Sequence, residues 1–301
     1  MSRFLITGGT GFIGRHLTRI LRERFGAAAV ISVGSQFDLR DLTRTNGLFQ
    51  DFGAFDYVLH LADMQSDARM AAQCPATQFI ANATMSLNVL TAWHNFQPAA
   101  RLICFSSAWA YPESIVDLDE KDYWSGRMHR PTEHYGLNKK VLSVGMQAYK
   151  RQYGLKGTSL VLGTVYGPDD STSHLIPSLL YRMRANPDRL EVWGDGSETR
   201  DFIYVEDQIQ GILQHLDYAG ELLNIGSGSS HSVREVVEIL ARLMHYQGQI
   251  VFDSTKSTGV ANRRINTSLA TSTTGWPGGF ELHTLEAGLQ ETVTSFKKSN
   301  G

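Results

Sequence analysis

The sequence predicts an α/β protein, a Rossmann-type doubly wound parallel sheet followed by a smaller α/β lobe. Three observations predict it. Short apolar runs of strand length alternate with longer helical patterns through the first half of the chain. A glycine-rich turn, Gly8-Gly9-Thr10-Gly11-Phe12-Ile13-Gly14, follows the first of those runs directly. The chain has 301 residues, 42% of them apolar, enough for one large domain or two unequal ones.

Strands are expected at 4–7, 30–33, 57–61, 102–106 and 158–162, with helices at 11–25, 41–52, 76–96 and 133–153 between them. Strands this apolar, alternating with helices, argue a parallel sheet covered on both faces. Pro75 suits an early helical position, and Pro98 ends that helix. After about residue 165 the pattern changes. A loop leads into a short basic helix over 171–186, a short strand at 190–192 precedes a turn-rich stretch, and helices at 205–218, 233–246 and 284–297 flank a strand at 222–225. The division expected is a dinucleotide-binding domain over 1–165 and a substrate lobe over 166–301, with the chain near 200–225 returning to the main domain.

The bulk composition excludes several classes. A formal net charge of −2 leaves no electrostatic footprint for nucleic acid. The two cysteines, Cys74 and Cys104, make a disulfide framework unlooked-for and point to a reducing compartment. The N-terminus reads as a strand rather than a signal peptide, and no run of 18 apolar residues exists, so a soluble cytoplasmic protein with no membrane partner is expected. No metal site is expected.

The glycine turn carries the first chemistry. Gly8, Gly11 and Gly14 have the spacing of a tight strand-to-helix turn, whose backbone at Thr10, Phe12 and Ile13 approaches a pyrophosphate while the helix N-terminus faces the anion. The end of the second strand, Val30-Ile31-Ser32-Val33-Gly34-Ser35-Gln36, offers neither the acidic residue that favours NAD nor the arginine that favours NADP. Ser32 and Ser35 can hydrogen-bond a phosphate, no carboxylate repels one, and Arg15 lies on the following helix; the cofactor stays open between NAD and NADP, with a lean to NADP. Asp38 and Leu39 read either as a contact to the adenine edge or, for Asp38, as the cap of the next helix.

The second chemistry is Tyr135-Gly136-Leu137-Asn138-Lys139. On a helix this i, i+4 spacing puts phenol and ammonium on one face. A free tyrosine has a pKa of about 10, and lowering it to about 7 takes roughly 4 kcal/mol of differential stabilisation, which a neighbouring ammonium supplies in part. Tyr135 can then exchange a proton with a sugar oxygen. Ser107, at the carboxyl end of the fourth strand, is placed to hydrogen-bond the same oxygen; the alternative for this serine is a helix cap or turn.

With GGTGFIG after the first strand, SSAWAY after the fourth, YGLNK, and Trp193-Gly194-Asp195-Gly196 running on to Arg200-Asp201-Phe202, the chain resembles the extended short-chain dehydrogenase/reductases that act on nucleotide sugars. The likeness spans nearly the whole chain and is nearest to the GDP-fucose synthase branch, which epimerises and reduces a GDP-linked 4-keto-6-deoxymannose. The resemblance implies cofactor contacts at Leu61, Ala62 and Asn82 as well, a ribose contact for Lys139, and substrate contacts at Trp109, His174, Arg182, Trp193, Arg200, Lys256 and Arg263. It also implies a homodimer through the helices near 76–96 and 133–153.

The departures narrow the activity. The branch pairs a histidine with a cysteine for epimerisation. His174 fits the histidine position, but Trp109 stands in the cysteine position, and indole has no useful acid or base near neutral pH. Ala108-Trp109 also replace the Asp-Glu of the dehydratases, which argues against dehydration. Asp63 stands where relatives carry a small residue, and Asn266 where an aspartate is common. The expected activity is reduction of a 4-keto sugar nucleotide, GDP-linked, by NAD(P)H, with His174 available for an epimerisation. The alternatives are a 4-epimerase holding NAD tightly and a non-catalytic dinucleotide sensor.

Overall fold

The alternating runs become strands and helices within a residue or two of the expected limits. The computed structural model describes residues 2–64, 73–256, 260 and 262–300. In the first half it places β1 (Phe4–Thr7), α1 (Phe12–Phe25), β2 (Val30–Val33), α2 (Leu42–Gln50), β3 (Tyr57–His60), α3 (Pro75–Phe96), β4 (Arg101–Ser107), β5 (Asp117–Leu118), α4 (Glu133–Tyr153) and β6 (Gly157–Leu162). There follow β7 (Thr164–Tyr166), α5 (Leu175–Ala185), β8 (Arg189–Trp193), β9 (Thr199–Arg200), β10 (Phe202–Tyr204), α6 (Val205–Gln214) and β11 (Leu222–Ile225). The chain continues through β12 (His231–Ser232), α7 (Val233–Met244), β13 (Gln249–Asp253), β14 (Arg264–Ile265), α8 (Ser268–Thr274) and α9 (Leu285–Asn300).

Among the described residues the main sheet has six strands in the order β11-β6-β4-β3-β1-β2. Every pairing in it is parallel, with Phe4 opposite both Val30 and Tyr57. All four residues of β1 are buried, because helices cover both faces. Side chains alternate across a strand. Phe4 and Ile6 therefore join one apolar layer with Leu17 and Leu21 of α1 and Ile209 and Ile212 of α6. Leu5 joins the other, with Phe49 of α2, Val89 and Trp93 of α3, and Leu142 and Met146 of α4. Each such large side chain stabilises the fold by roughly 1.5–3 kcal/mol through area removed from water.

The helix ends follow local chemistry. Pro75 opens α3, and the Trp93 indole donates to the Ala100 carbonyl at 2.9 Å, tying the end of α3 to the start of β4. Gly154 ends α4 in the left-handed region, at φ 70°. Helix α2 is capped by Asp41, whose carboxylate accepts from the Arg44 amide at 3.1 Å.

Beside the expected strand β8, the chain holds short strands that the apolar pattern did not announce. β8 runs parallel to β13, with Trp193 opposite Asp253. β7 pairs with β10, β9 with β12, and β5 with β14. Residues 222–225 return to the main sheet as β11, beside β6. No helix among the described residues is long and apolar enough to cross a membrane.

Candidate active site

The glycine turn is shaped by close approach. Gly8 has φ +73°, and a Cβ there would lie 2.6 Å from the Ala62 nitrogen. A Cβ on Gly14 would lie 2.2 Å from the Gly8 carbonyl oxygen. Glycine at both positions lets α1 press against the turn and the turn against Leu61-Ala62. Helix α1 begins after Gly11 with no side-chain cap, so its N-terminal end is presented by backbone at Phe12 and Ile13. These features fit the pyrophosphate of a dinucleotide.

Beside the turn lies a cavity of about 530 Å³ whose walls include Thr10, Arg15, Thr18, Arg19, Arg22 and Ser32. The Ser32 hydroxyl pairs with that of Thr18 at 2.8 Å. Arg15 donates to the Asp169 carbonyl at 2.6 Å, and Arg19 meets Glu23 and Glu206. Asp38 does not cap α2; that role falls to Asp41, three residues on. Asp38 instead accepts two hydrogen bonds of 2.8 Å from the Arg40 guanidinium. Those bonds hold its carboxyl down to about 2. Leu39 is buried, and its carbonyl accepts from Thr45 and Asn88.

The end of β4 sorts its two serines. The Ser106 hydroxyl is buried and paired with Tyr123 at 2.7 Å. Ser107 is less buried, and its Oγ accepts from the Trp109 amide at 3.3 Å, capping the turn at 108–110 while keeping its own proton to donate. On α4, the Lys139 ammonium lies 5.3 Å from the centroid of the Tyr135 ring, as the i, i+4 spacing requires. Lys139 is deeply buried and ion-paired with Asp63. Burial pulls the lysine pKa down, but the Asp63 charge and the Tyr135 phenol together outweigh it, and the net direction is up. His60, beneath this pair, is pushed down to about 3 by burial and bonds Thr7 at 2.7 Å.

Asn82 holds the chain just after β3: its side chain accepts from the Met64 amide at 2.7 Å, and Gln78 donates to the Met64 carbonyl at 2.8 Å.

On the substrate side the structure gathers some of the expected residues and leaves others apart. The Arg200 guanidinium stands 6.0 Å from the Trp109 ring. Arg263 is buried, donates to the Pro112 carbonyl at 3.0 Å, and is pushed down to about 10 by burial and then by the charge of Arg200. Its Nε and Nη2 are buried with no hydrogen-bond partner, which suits an anionic ligand. His174 stands at the N-terminus of α5, its Nδ1 2.6 Å from Asp170 Oδ1. Trp193 is exposed at the end of β8, and Lys256 is exposed in the turn after β13, whose Asp253 is opposite Trp193. Arg182 donates to the Glu191 carbonyl of β8, so its guanidinium is engaged with backbone.

Three side chains of this region were not anticipated from the sequence. Asp170 orients His174 from the irregular segment before α5, where no helical period announces the contact. His129 packs 6.1 Å from Trp109 and pairs with Glu113 at 3.0 Å, a contact no spacing announces. Asp201 is buried, accepts from the Ser227 and Gly228 amides, and is pushed up to about 6 by burial.

Comparison with known proteins places the chain in a family. The model of the NAD dependent epimerase/dehydratase family matches residues 4–226. GDP-L-fucose synthase of Escherichia coli is 26% identical, over 98% of this chain and 96% of that protein. The crystal structure of a GDP-L-fucose synthetase from Naegleria fowleri bound to NADP superposes with a TM-score of 0.89 at 23% identity, covering 99% of this chain and 93% of that one. The UDP-glucose 4-epimerase of Thermotoga maritima gives 0.86 at 25% identity, covering 99% and 100%. A glycine cradle, a tyrosine–lysine pair on the helix after β4 and a match over most of the chain lead to one conclusion: the protein belongs to the NAD dependent epimerase/dehydratase family, of the extended short-chain dehydrogenase/reductase type.

Proposed function

We propose that this protein is a cytoplasmic NAD(P)H-dependent reductase of a nucleotide-linked 4-keto sugar, with GDP as the carrier and NADP(H) as the preferred cofactor. The observation that carries the reading is the Tyr135–Lys139 pair, its ammonium kept charged by Asp63. The bound cofactor supplies the hydride. Tyr135 donates the proton that the substrate oxygen then needs, and Lys139 stabilises the phenolate left behind. Ser107 donates to the same oxygen and orients it. Trp109, which has no acid or base to offer, favours reduction over a double epimerisation, while His174 remains available for one proton transfer. The lobe over 166–301 contributes the nucleotide contacts, with Arg200 and Arg263 toward the diphosphate. The preference for NADP(H) is supported by the arginine-lined cavity beside Ser32.

The test is a product screen by NMR. The purified protein is offered GDP- and dTDP-linked 4-keto sugars with NADPH or NADH. Stoichiometric cofactor oxidation and a reduced sugar are expected, and the reading fails if no keto sugar oxidises either cofactor. The second reading, a 4-epimerase, draws on the likeness to the Thermotoga enzyme. It predicts NAD retained through purification and no net consumption of it.

We also propose a homodimer through α3 and α4. Ile80 and Leu87 are exposed on α3, and Leu137 and Val144 on α4, each pair seven residues apart and so on one side of its helix. Two packed helices with apolar outer stripes suit an isologous four-helix contact.

A further inference from the structure

Asp63 is a buried carboxylate in contact with the lysine on which the proposed chemistry depends. Its side chain is 7% exposed and that of Lys139 is 14% exposed. Backbone geometry puts it there. It leaves the end of β3 on a loop fixed from one side by the Thr7 hydroxyl, which the Ala62 amide meets at 3.4 Å, and from the other by Asn82 and Gln78 on the Met64 peptide. Among the described residues neither oxygen has a hydrogen-bond donor beyond the lysine contact.

Among the described residues, and Tyr135 apart, the other titratable groups that act on Lys139 carry no compensating charge at neutral pH. His60 of β3 is held neutral by burial. Burial pushes the Cys104 thiol of β4 up, and likewise the Tyr123 phenol that bonds Ser106. Tyr135 is the remaining one, on the same helix as the lysine. An unpaired ammonium beside a phenol favours the phenolate. An ammonium in contact with a carboxylate forms a nearly neutral pair, and its pull on the phenol is much weaker.

We propose that Asp63 is a positioning residue that holds Lys139 in place and keeps Tyr135 protonated at neutral pH, biasing the site toward giving a proton to a carbonyl oxygen and away from taking one from a hydroxyl. The inference rests on the reading of Tyr135 as the proton donor. In that step the Tyr135 O–H bond breaks and its proton forms a new O–H bond on the substrate oxygen, which carries the negative charge left by hydride addition. The electron pair stays on the phenolate, beside Lys139, until solvent returns a proton.

The test needs neither cofactor nor substrate. Tyrosine labelled with ¹³C at the ring Cζ is introduced, and the resonance missing from Tyr135→Phe is followed with pH in the wild type, Asp63→Asn and Asp63→Glu. In the wild type the phenol should titrate above about 9, near its unperturbed range. Asp63→Asn should lower that midpoint by about one unit, and Asp63→Glu should restore it. The alkaline limb of any keto-sugar reduction should move down by the same amount in Asp63→Asn. A wild-type phenol titrating near neutrality overturns the proposal even if neither variant folds. So does a midpoint in folded Asp63→Asn within about 0.3 unit of the wild type, against the expected shift of a full unit. A flat titration in a protein that reduces keto sugars removes this inference alone, whereas a shifted titration in a protein that reduces none removes only the proposed function.

Discussion

His174 and Asp170 face each other across one turn of chain, with Nδ1 2.6 Å from Oδ1 and the carboxylate side chain 2% exposed. The hydrogen bond that the imidazole donates to Asp170 is the largest influence on it, outweighs its burial, and raises its pKa. A histidine whose folded pKa is raised contributes stability that is complete below its unfolded pKa and is lost as pH rises through the folded one. Asp170→Asn should therefore lower the pH at which His174 titrates, read from its ring proton shifts. The variant's deficit in Tm should be largest near pH 5.5–6, just below the free histidine pKa of about 6.5, and should shrink at higher pH. A His174 titration unmoved by Asp170→Asn would remove the pairing from solution.

Arg263 presents buried donors that lack a partner, next to Arg200. A diphosphate would use them through charge-assisted hydrogen bonds, each worth roughly 1.5–3 kcal/mol. Arg263→Met should weaken binding of GDP, measured by calorimetry, about 10- to 100-fold, and should raise KM more than it lowers kcat. Unchanged GDP affinity would place the nucleotide elsewhere.

The cavity beside the glycine turn is lined by Arg15, Arg19 and Arg22 around Ser32, with Glu23 paired to Arg19. If it receives the extra phosphate of NADPH, Arg15→Ala combined with Arg22→Ala should raise the Kd for NADPH by about 10-fold or more, while NADH binding changes little. Fluorescence titration of the reduced cofactors reads both. Equal losses for the two cofactors would count against the preference.

Leu87 is 53% exposed on α3, and Val144 is 46% exposed on α4. A charge at each would have to be buried in the proposed dimer without a partner, at a cost of several kcal/mol. Leu87→Glu with Val144→Glu should give a monomer by light scattering, with the far-UV circular dichroism of the folded chain kept because both side chains are exposed within the single chain. A wild type that is already monomeric at micromolar concentration would refute the interface.

Much of this architecture was readable before any coordinates. The limits of β1, β2, β11 and α4 coincide with those read from apolar spacing, and the glycine turn and the Tyr135–Lys139 face follow from it. Other elements were not readable. β9, β12 and β14 are two residues long, too short to show a period of two, and β13 has only partly buried side chains after its first residue. The choice of Asp41 over Asp38 as the cap of α2 turned on which carboxylate met an arginine next to it, a competition between neighbours that spacing alone does not rank. The engagement of Arg182 with β8 likewise needed the packing of α5 on that strand.

The amino-acid order by itself determined the strand and helix alternation, the turn that suits a pyrophosphate, and the helical face that carries phenol and ammonium together. Each depends on residues a few positions apart, where bond geometry and side-chain period decide the outcome. Only the tertiary structure decided that Asp63 meets Lys139, that Ser106 is taken by Tyr123 while Ser107 is not, and that Arg200 and Arg263 share one site with Trp109. Those relations join distant segments, and they come into being when a parallel sheet brings the ends of its strands to one edge, where charges removed from water must find partners.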